Sequence, residues 1–316
     1  MLTVSIVIPT MNRLDSLKRT ISYIAQSTVE PLEVIVVDQS TDNTEIEATK
    51  EFLEKQSVNC KYVHNDEPSL TKARNTGMLY VHGDLVIQMD DDVDVKPDTL
   101  SSILKIFSNE KIAMLAGVNE GFNSKHRSLI GFLFWKKNWR KRNIGHVVKS
   151  MYGRFPENIT KETPTEWAMG FFSVYRVALI RKWNLNWDEK LTSYAYAEDL
   201  DFSYSYFKKA KNEGLKCIMS SLVIVKHNVT QEWRIPSRKH IYMTINNRRY
   251  LRKKHFGESL LSKFAVFWAD SGEYLRRLLS HEGPRLEGCN DWETSIKRCS
   301  KHSNLGLMWK DLELFR

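Results

Sequence analysis

Cysteine is scarce. Only Cys60, Cys217, Cys289 and Cys299 occur in 316 residues, with no CxxC pair and no Cys/His metal cluster. That excludes a disulfide framework and a structural zinc site, and the thiols read as reduced, mostly buried groups of a cytoplasmic protein. Long apolar runs are also missing. The stretch 129–135 is among the longest and falls far short of the roughly 18 residues of a membrane span. The opening MLTVSIVIPTMNR has neither a basic flank nor a small-residue cleavage site, so no secretion signal is expected. No GxxxxGK[ST] is present and no GxGxxG follows the first apolar run, which argues against a kinase, an NTPase or a dinucleotide dehydrogenase. The absence of a GxSxG elbow removes the usual α/β-hydrolase. No RNP-type, helix-turn-helix or zinc signature appears, so nucleic acid is not an expected partner.

What is present fits a globular chain. Hydrophobic residues make up 42% and charged residues 27%, ruling out wholesale disorder. The length suits two domain-equivalents, or one large α/β domain with an appendage. Formal charge is +9 but is unevenly spread. Residues 121–156 hold nine Lys/Arg and residues 233–257 hold eight, neither with any Asp/Glu. The remainder has 30 basic against 38 acidic residues. A mildly acidic body carrying two basic segments points to a locally anionic partner.

Short, almost wholly apolar runs at 4–8, 33–37, 61–64 and 85–89 read as strands buried on both faces. Helical periodicity lies between them at 14–26, 43–55 and 70–81. A further helix is expected from Pro97 to Phe107 and a strand at 112–117. This alternation predicts βαβ units and a parallel sheet. Residues 122–165 are basic and aromatic and read as an insertion. Order resumes at 166–180, with a helix at 198–211 and a strand at 217–226. After His227 the pattern is mostly helical. Leu260, Leu261, Phe264, Phe267, Trp268, Tyr274, Leu275, Leu278 and Leu279 share one stripe. Packing of that stripe against the body or a second subunit is preferred over insertion into a membrane interface.

Ligands of open α/β sheets bind beyond the carboxyl ends of the strands. Three predicted strands end in polar groups there: Pro9-Thr10-Met11-Asn12-Arg13, Asp38-Gln39-Ser40, and Asp90-Asp91-Asp92. Adjacent carboxylates repel unless protonated or bridged by a cation. Oxygen ligands suit Mg²⁺ or Mn²⁺ held together with substrate phosphates, and the alternative is a solvated acidic turn. Glu198-Asp199 opens a helix, where the macrodipole alone would favour acidic residues.

The segments SIVIPTMNR, EVIVVDQSTDNT, LTKARNTG, LVIQMDDDV, MGFFSVYR, AYAEDLDFSYSYFKKA and VKH, in this order, resemble family-2 glycosyltransferases with the GT-A fold. The resemblance implies a nucleotide-diphospho-sugar transferase. Its Rossmann-like, mostly parallel sheet would be flanked by helices, with a catalytic domain at 1–230 and a helical extension at 231–316. The nucleotide-binding half would span about 1–120 and the acceptor-binding half 121–230. It implies inverting transfer, the family's UDP-sugar preference, and Mn²⁺ or Mg²⁺. Pro9, Thr10, Asn12 and Arg13 would line the nucleoside pocket and Asp38 would accept from the base. Lys72 and Arg74 would face the nucleotide, with an exposed helix lysine as the alternative for Lys72. Asp90 would serve ribose and metal shell and Asp92 would ligate the metal directly, with Asp91 beside them. His227 would complete the metal site. Asp199 would be the general base, with Glu198 orienting the acceptor. Trp167, Gly170 and Phe171 would border the sugars, and Trp233, Arg234 and Arg238 would fold over the diphosphate.

The basic segments match a glycan or lipid-diphosphate-linked acceptor, or an anionic leaflet met from the cytoplasmic side of the plasma membrane. Related bacterial enzymes elongate cell-surface polysaccharides on such lipid carriers. Two other readings stay open: a nucleotidyltransferase on a related fold, and a non-catalytic sugar- or lipid-binding scaffold.

Overall fold

The computed structural model describes residues 2–121, 144–156, 159, 161–192, 195–228 and 237–279. These form two compact units. The first begins β1 (Val4–Thr10), α1 (Leu14–Ala25), β2 (Glu33–Asp38), α2 (Asn43–Glu54), β3 (Cys60–His64), α3 (Leu70–Met78) and β4 (Leu85–Met89). It continues through β5 (Val93–Asp94), α4 (Thr99–Phe107) and β6 (Ile112–Asn119) to β7 (His146–Val147), β8 (Gly153–Arg154) and β9 (Thr163–Pro164). It closes with β10 (Phe172–Arg176), α5 (Val177–Lys182), α6 (Glu198–Asn212) and β11 (Lys216–His227).

The main sheet runs β3-β2-β1-β4-β10-β6-β11-β5, with β9 beside β11. Thr163–Pro164 therefore joins the sheet, although the sequence places it in an insertion. Successive residues of β1 feed opposite sides: Ile6 and Ile8 join one apolar cluster, Val7 the other. A strand covered on both faces must be apolar at every position, which is why these runs do not alternate. On the second side α3 lies close to β1: a Cβ on Gly77 would stand 2.4 Å from Cγ1 of Val7, so only glycine fits.

Strand direction organises the site. β1 is parallel to β2 and β4, β2 is parallel to β3, and β11 is parallel to β6. β10 runs antiparallel between β4 and β6. The carboxyl ends of β1, β2, β4, β6 and β11 thus share one edge, and the start of β10 lies at that same edge, with Phe172 opposite Met89.

The second unit contains α7 (Ser237–Phe256) and α8 (Leu260–Leu279). The fully buried guanidinium of Arg248 meets the carboxylate of Asp270, and Arg249 reaches the same group at 3.1 Å. Arg248 also lies 4.0 Å from the ring centre of Tyr152. The α8 stripe, expected to pack against the body or a second subunit, has four members that the described residues leave uncovered. Leu260, Leu261, Phe264 and Phe267 are exposed, and Ser262, Val266, Ala269 and Asp270 form the buried face instead. A hydrophobic row on a helix shows amphipathicity, not which side meets protein. Trp233 and Arg234 lie outside the described residues, as do Cys289, Cys299, most of the first basic segment and the chain from 280 onward.

Candidate active site

The turn after β4 carries Asp90, Asp91 and Asp92, which have different surroundings. Asp91 is buried. Its carboxylate accepts from Thr10 Oγ1 at 2.6 Å and pairs with Arg13 at 2.9 Å, while its carbonyl accepts from Thr20 at 2.7 Å. Burial pushes this carboxyl up to about 7, against the pull of Arg13 and Thr10. Asp91 thus ties the β4 turn to the β1 loop from inside. Asp92 pairs with Arg13 through Oδ2 at 2.8 Å and with Nε2 of His227 through Oδ1 at 3.1 Å. Despite burial, those two partners hold Asp92 below the usual carboxylate range.

His227 reaches this point because β11 pairs antiparallel with β5 there, setting His227 opposite Val93. Its ring stacks on Phe171, centroids 5.0 Å apart and 14° from coplanar. Burial disfavours the imidazolium, but Asp92 and Asp90 outweigh it and raise the His227 pKa. Donor atoms of Asp90, Asp92 and His227 all lie within 4.8 Å of one another. The set fits a small divalent cation. Two oxygens and one imidazole nitrogen converge, and the 3.1 Å between Asp92 and His227 matches neighbouring ligands around an octahedral ion, about 3 Å.

Asp199 sits at the start of α6. The turn before it has two left-handed residues, Ala195 (φ 50°) and Ala197 (φ 67°). Non-glycine residues adopt this conformation at a cost, and such strain gathers at functional sites. The turn sets the first acidic turn of α6 beside the entry to β10. There the N–H of Gly170 donates to Oδ2 of Asp199 at 2.8 Å and that of Leu200 donates to Oδ1 at 2.7 Å. Burial nevertheless raises the Asp199 pKa.

Arg74 joins the two halves. It is 2% exposed and donates to Asp90 Oδ1 and to the Gly170 carbonyl, each at 3.1 Å. Its Nε pairs with Glu198 at 3.3 Å. Gly170 thus holds Arg74 by its carbonyl and Asp199 by its amide. A Cβ there would stand 3.2 Å from Arg74, Asp199 and Glu198 alike. Asp90 belongs to both the Asp90, Asp92 and His227 trio and the Arg74 cluster, so Asp92 and Asp199 are linked through contiguous contacts.

The nucleoside-side residues form a chain of their own. Asn12, at φ 52°, donates its N–H to Ser40 Oγ at 2.8 Å, and that hydroxyl donates to Asp38 Oδ1 at 2.5 Å. Asp38 also accepts from Tyr62 at 3.0 Å and is fully buried. Pro9 lies in β1 opposite Val37. Lys72 is half-exposed and paired with Glu67, while Arg74, two residues on, is buried in the carboxylate cluster rather than open to solvent. Trp167, which suits a sugar border or ordinary core packing equally, is 8% exposed, stacks on Phe155 at 4.4 Å and donates its ring N–H to the Arg154 carbonyl.

Sequence reasoning missed Ser40 and Tyr62, which hold Asp38. Asp38 pairs with His64, so the period of two places Tyr62 on the same face of the neighbouring strand, a signal readable only once the register is known. It also missed Glu45, whose Oε1 accepts the N–H of Leu14 at 2.9 Å and satisfies the start of α1.

The chain is similar to known proteins. Residues 5–183 match the model of glycosyl transferase family 2. The chain is 25% identical over 244 residues to the "uncharacterized glycosyltransferase EpsJ" of Bacillus subtilis, covering 74% of this chain and 63% of that one. It is 23% identical over 226 residues to the poly(ribitol-phosphate) beta-N-acetylglucosaminyltransferase TarP of Staphylococcus aureus, covering 70% of this chain and 62% of the relative. The chain therefore spans under two thirds of either relative. Among solved structures, a Pyrobaculum calidifontis mannosyltransferase in complex with GDP-Man and Mn²⁺ aligns over 99% of this chain and 84% of its own, at TM-score 0.53 and 15% identity. S. aureus TarS in complex with UDP-GlcNAc aligns over 93% and 79%, at TM-score 0.52 and 16% identity. With the family match over more than half of the chain and the sheet order together, the chain belongs to glycosyl transferase family 2 and has the GT-A fold.

Proposed function

We propose that this enzyme is an inverting glycosyltransferase. It moves a sugar from a nucleotide-diphospho-sugar, a UDP-sugar by family preference, to a hydroxyl of a glycan or lipid-linked saccharide in cell-surface polysaccharide synthesis. The supporting observation is the continuous link from Asp92 and Asp90 through Arg74 and Gly170 to Asp199. Residues 1–120 carry the donor side and 121–230 the acceptor side. Asp90, Asp92 and His227 would hold Mn²⁺ or Mg²⁺, which supplies positive charge where the diphosphate becomes more negative on leaving.

Asp199 acts as the base. Its carboxylate takes the proton of the acceptor hydroxyl as that oxygen attacks the anomeric carbon from the face opposite the diphosphate. The Gly170 and Leu200 amides fix its orientation, and burial keeps it basic enough for the task. A retaining route would need a second carboxylate acting as nucleophile on the sugar, and Glu198 is already engaged with Arg74. Asn12 and Arg13 flank the nucleoside, and the Asp38–Ser40 link holds their loop.

A panel of nucleotide sugars with Mn²⁺ or Mg²⁺, assayed for the released nucleotide, tests the reading. Nucleoside diphosphate release with an inverted product supports it. Release of sugar 1-phosphate in place of nucleoside diphosphate would indicate a nucleotidyltransferase, and retention of anomeric configuration would remove the role of Asp199.

A further inference from the structure

Helix α8 leaves an apolar row uncovered. Leu260, Leu261, Phe264 and Phe267 are 84, 60, 56 and 61% exposed. Positions 260, 264 and 267, with 261 beside them, fall on one face by helical spacing. The opposite face is anchored, because buried Asp270 holds Arg248 and Arg249 of α7. Contiguous apolar rows of this kind on a protein surface mark interaction sites.

Cations gather at the same end of the helix. Glu258, in the turn before α8, pairs with Lys263 at 2.9 Å, Arg252 at 3.5 Å and Lys253 at 3.6 Å. Lys253, Lys254 and Lys263 are all exposed. Helix α7 carries seven Lys/Arg and no Asp/Glu. Charge selects the occupant. A second copy would bring an equal surplus of cations to the contact, and like charges at an interface repel. An anionic leaflet brings the opposite sign, and the pairing of an apolar helix face with Lys suits binding in the plane of a membrane interface.

We propose that the exposed face of α8, with Lys253, Lys254 and Lys263, seats the protein on an anionic membrane surface. The four apolar side chains enter the interface and the ammonium groups meet lipid phosphates. No helix among the described residues is long and apolar enough to cross a membrane, so attachment here is in-plane. The inference deepens the reading of a lipid-linked acceptor, and it rests on that reading for its purpose.

Co-sedimentation of the full chain with phosphatidylcholine vesicles, with and without phosphatidylglycerol, tests it. Binding should require phosphatidylglycerol and weaken as salt rises. The Phe264→Glu/Phe267→Glu variant should lose at least about tenfold in partitioning, from lost apolar burial and added negative charge. Lys253→Glu/Lys254→Glu should lose about fivefold or more per charge. Both variants should keep wild-type nucleotide affinity by calorimetry, which shows that they are folded. Equal vesicle binding by wild type and both variants would overturn the proposal. So would a wild-type dimer that the Phe variant dissociates while wild type ignores vesicles. An Asp199→Asn protein should bind vesicles normally. Vesicle binding without transferase activity would therefore count against the catalytic reading alone, and transfer to a soluble acceptor without vesicle binding against this proposal alone.

Discussion

The Nε of Arg74 lies 3.3 Å from Oε1 of Glu198, with side chains 2% and 5% exposed. Asp90, Glu198 and Asp199 all act on that one guanidinium, so it cannot neutralise every carboxylate around it. Burial therefore wins at Glu198, and with Asp199 and Asp90 nearby its carboxyl is pushed up to about 8.

A stability prediction follows for the metal-free protein. Glu198 ionises near 4.5 when unfolded and near 8 when folded, so the folded state binds the extra proton between those values. Stability from this group is full below the lower value and falls as pH rises towards the upper one. Glu198→Gln should therefore raise the melting temperature relative to wild type more at about pH 8.5 than at about pH 5. Thermal melts in EDTA across that range provide the check, and a pH-independent difference would remove the raised pKa.

Asp199→Asn keeps the shape at the start of α6 but cannot take a proton. Turnover should fall about a hundred- to ten-thousand-fold with nucleotide affinity nearly unchanged. Nucleotide release and calorimetry separate the two effects, and near-normal turnover would show that another group is the base.

Gly170→Ala places a methyl group 3.2 Å from Arg74, Asp199 and Glu198. Those neighbours are held by hydrogen bonds or ion pairs, so accommodation must shift the base or the guanidinium. We expect kcat to drop by about a hundredfold for a displacement near 1 Å. A crystal structure of the variant with Asp199 unmoved and unchanged kinetics would contradict this.

Asp92→Ala removes a ligand shared by Arg13 and His227. Nucleotide affinity should lose its dependence on Mn²⁺, becoming equal with and without EDTA. If wild-type affinity is itself insensitive to EDTA, the metal assignment fails.

Asp270→Ala removes the carboxylate paired with the guanidinium of Arg248, which has no exposed surface. Removing one member of a buried ion pair costs about 3–5 kcal/mol. Denaturant unfolding should report this loss, with no change in nucleotide binding.

Much of the fold was legible because buried parallel strands announce themselves. Leu85–Met89 matches its apolar run residue for residue, and α1 and α2 begin where the periodicity begins. The reversed direction of β10 was not legible, since a five-residue apolar strand carries no mark of its polarity. Asp90, Asp92, Gly170, Asp199 and His227 were all named from motifs, and the structure gathers them at one site. What motifs could not convey was the environment of each. Arg74 and Lys72 lie two residues apart on α3, yet one is enclosed among carboxylates and the other faces water. Trp167 was equally ambiguous, because aromatic rings suit both sugar platforms and cores.

The reversal of β10 has a consequence for how such an enzyme diversifies. β6 ends and β10 begins at the same edge, and the two strands are neighbours. The connection between them returns to the same edge and lends β9 to the sheet, so its length can vary only outside that strand. Lengthening a connection with fixed ends costs little, about 0.6 kcal/mol per doubling. Residues added there would leave the carboxylates at the strand ends in their positions.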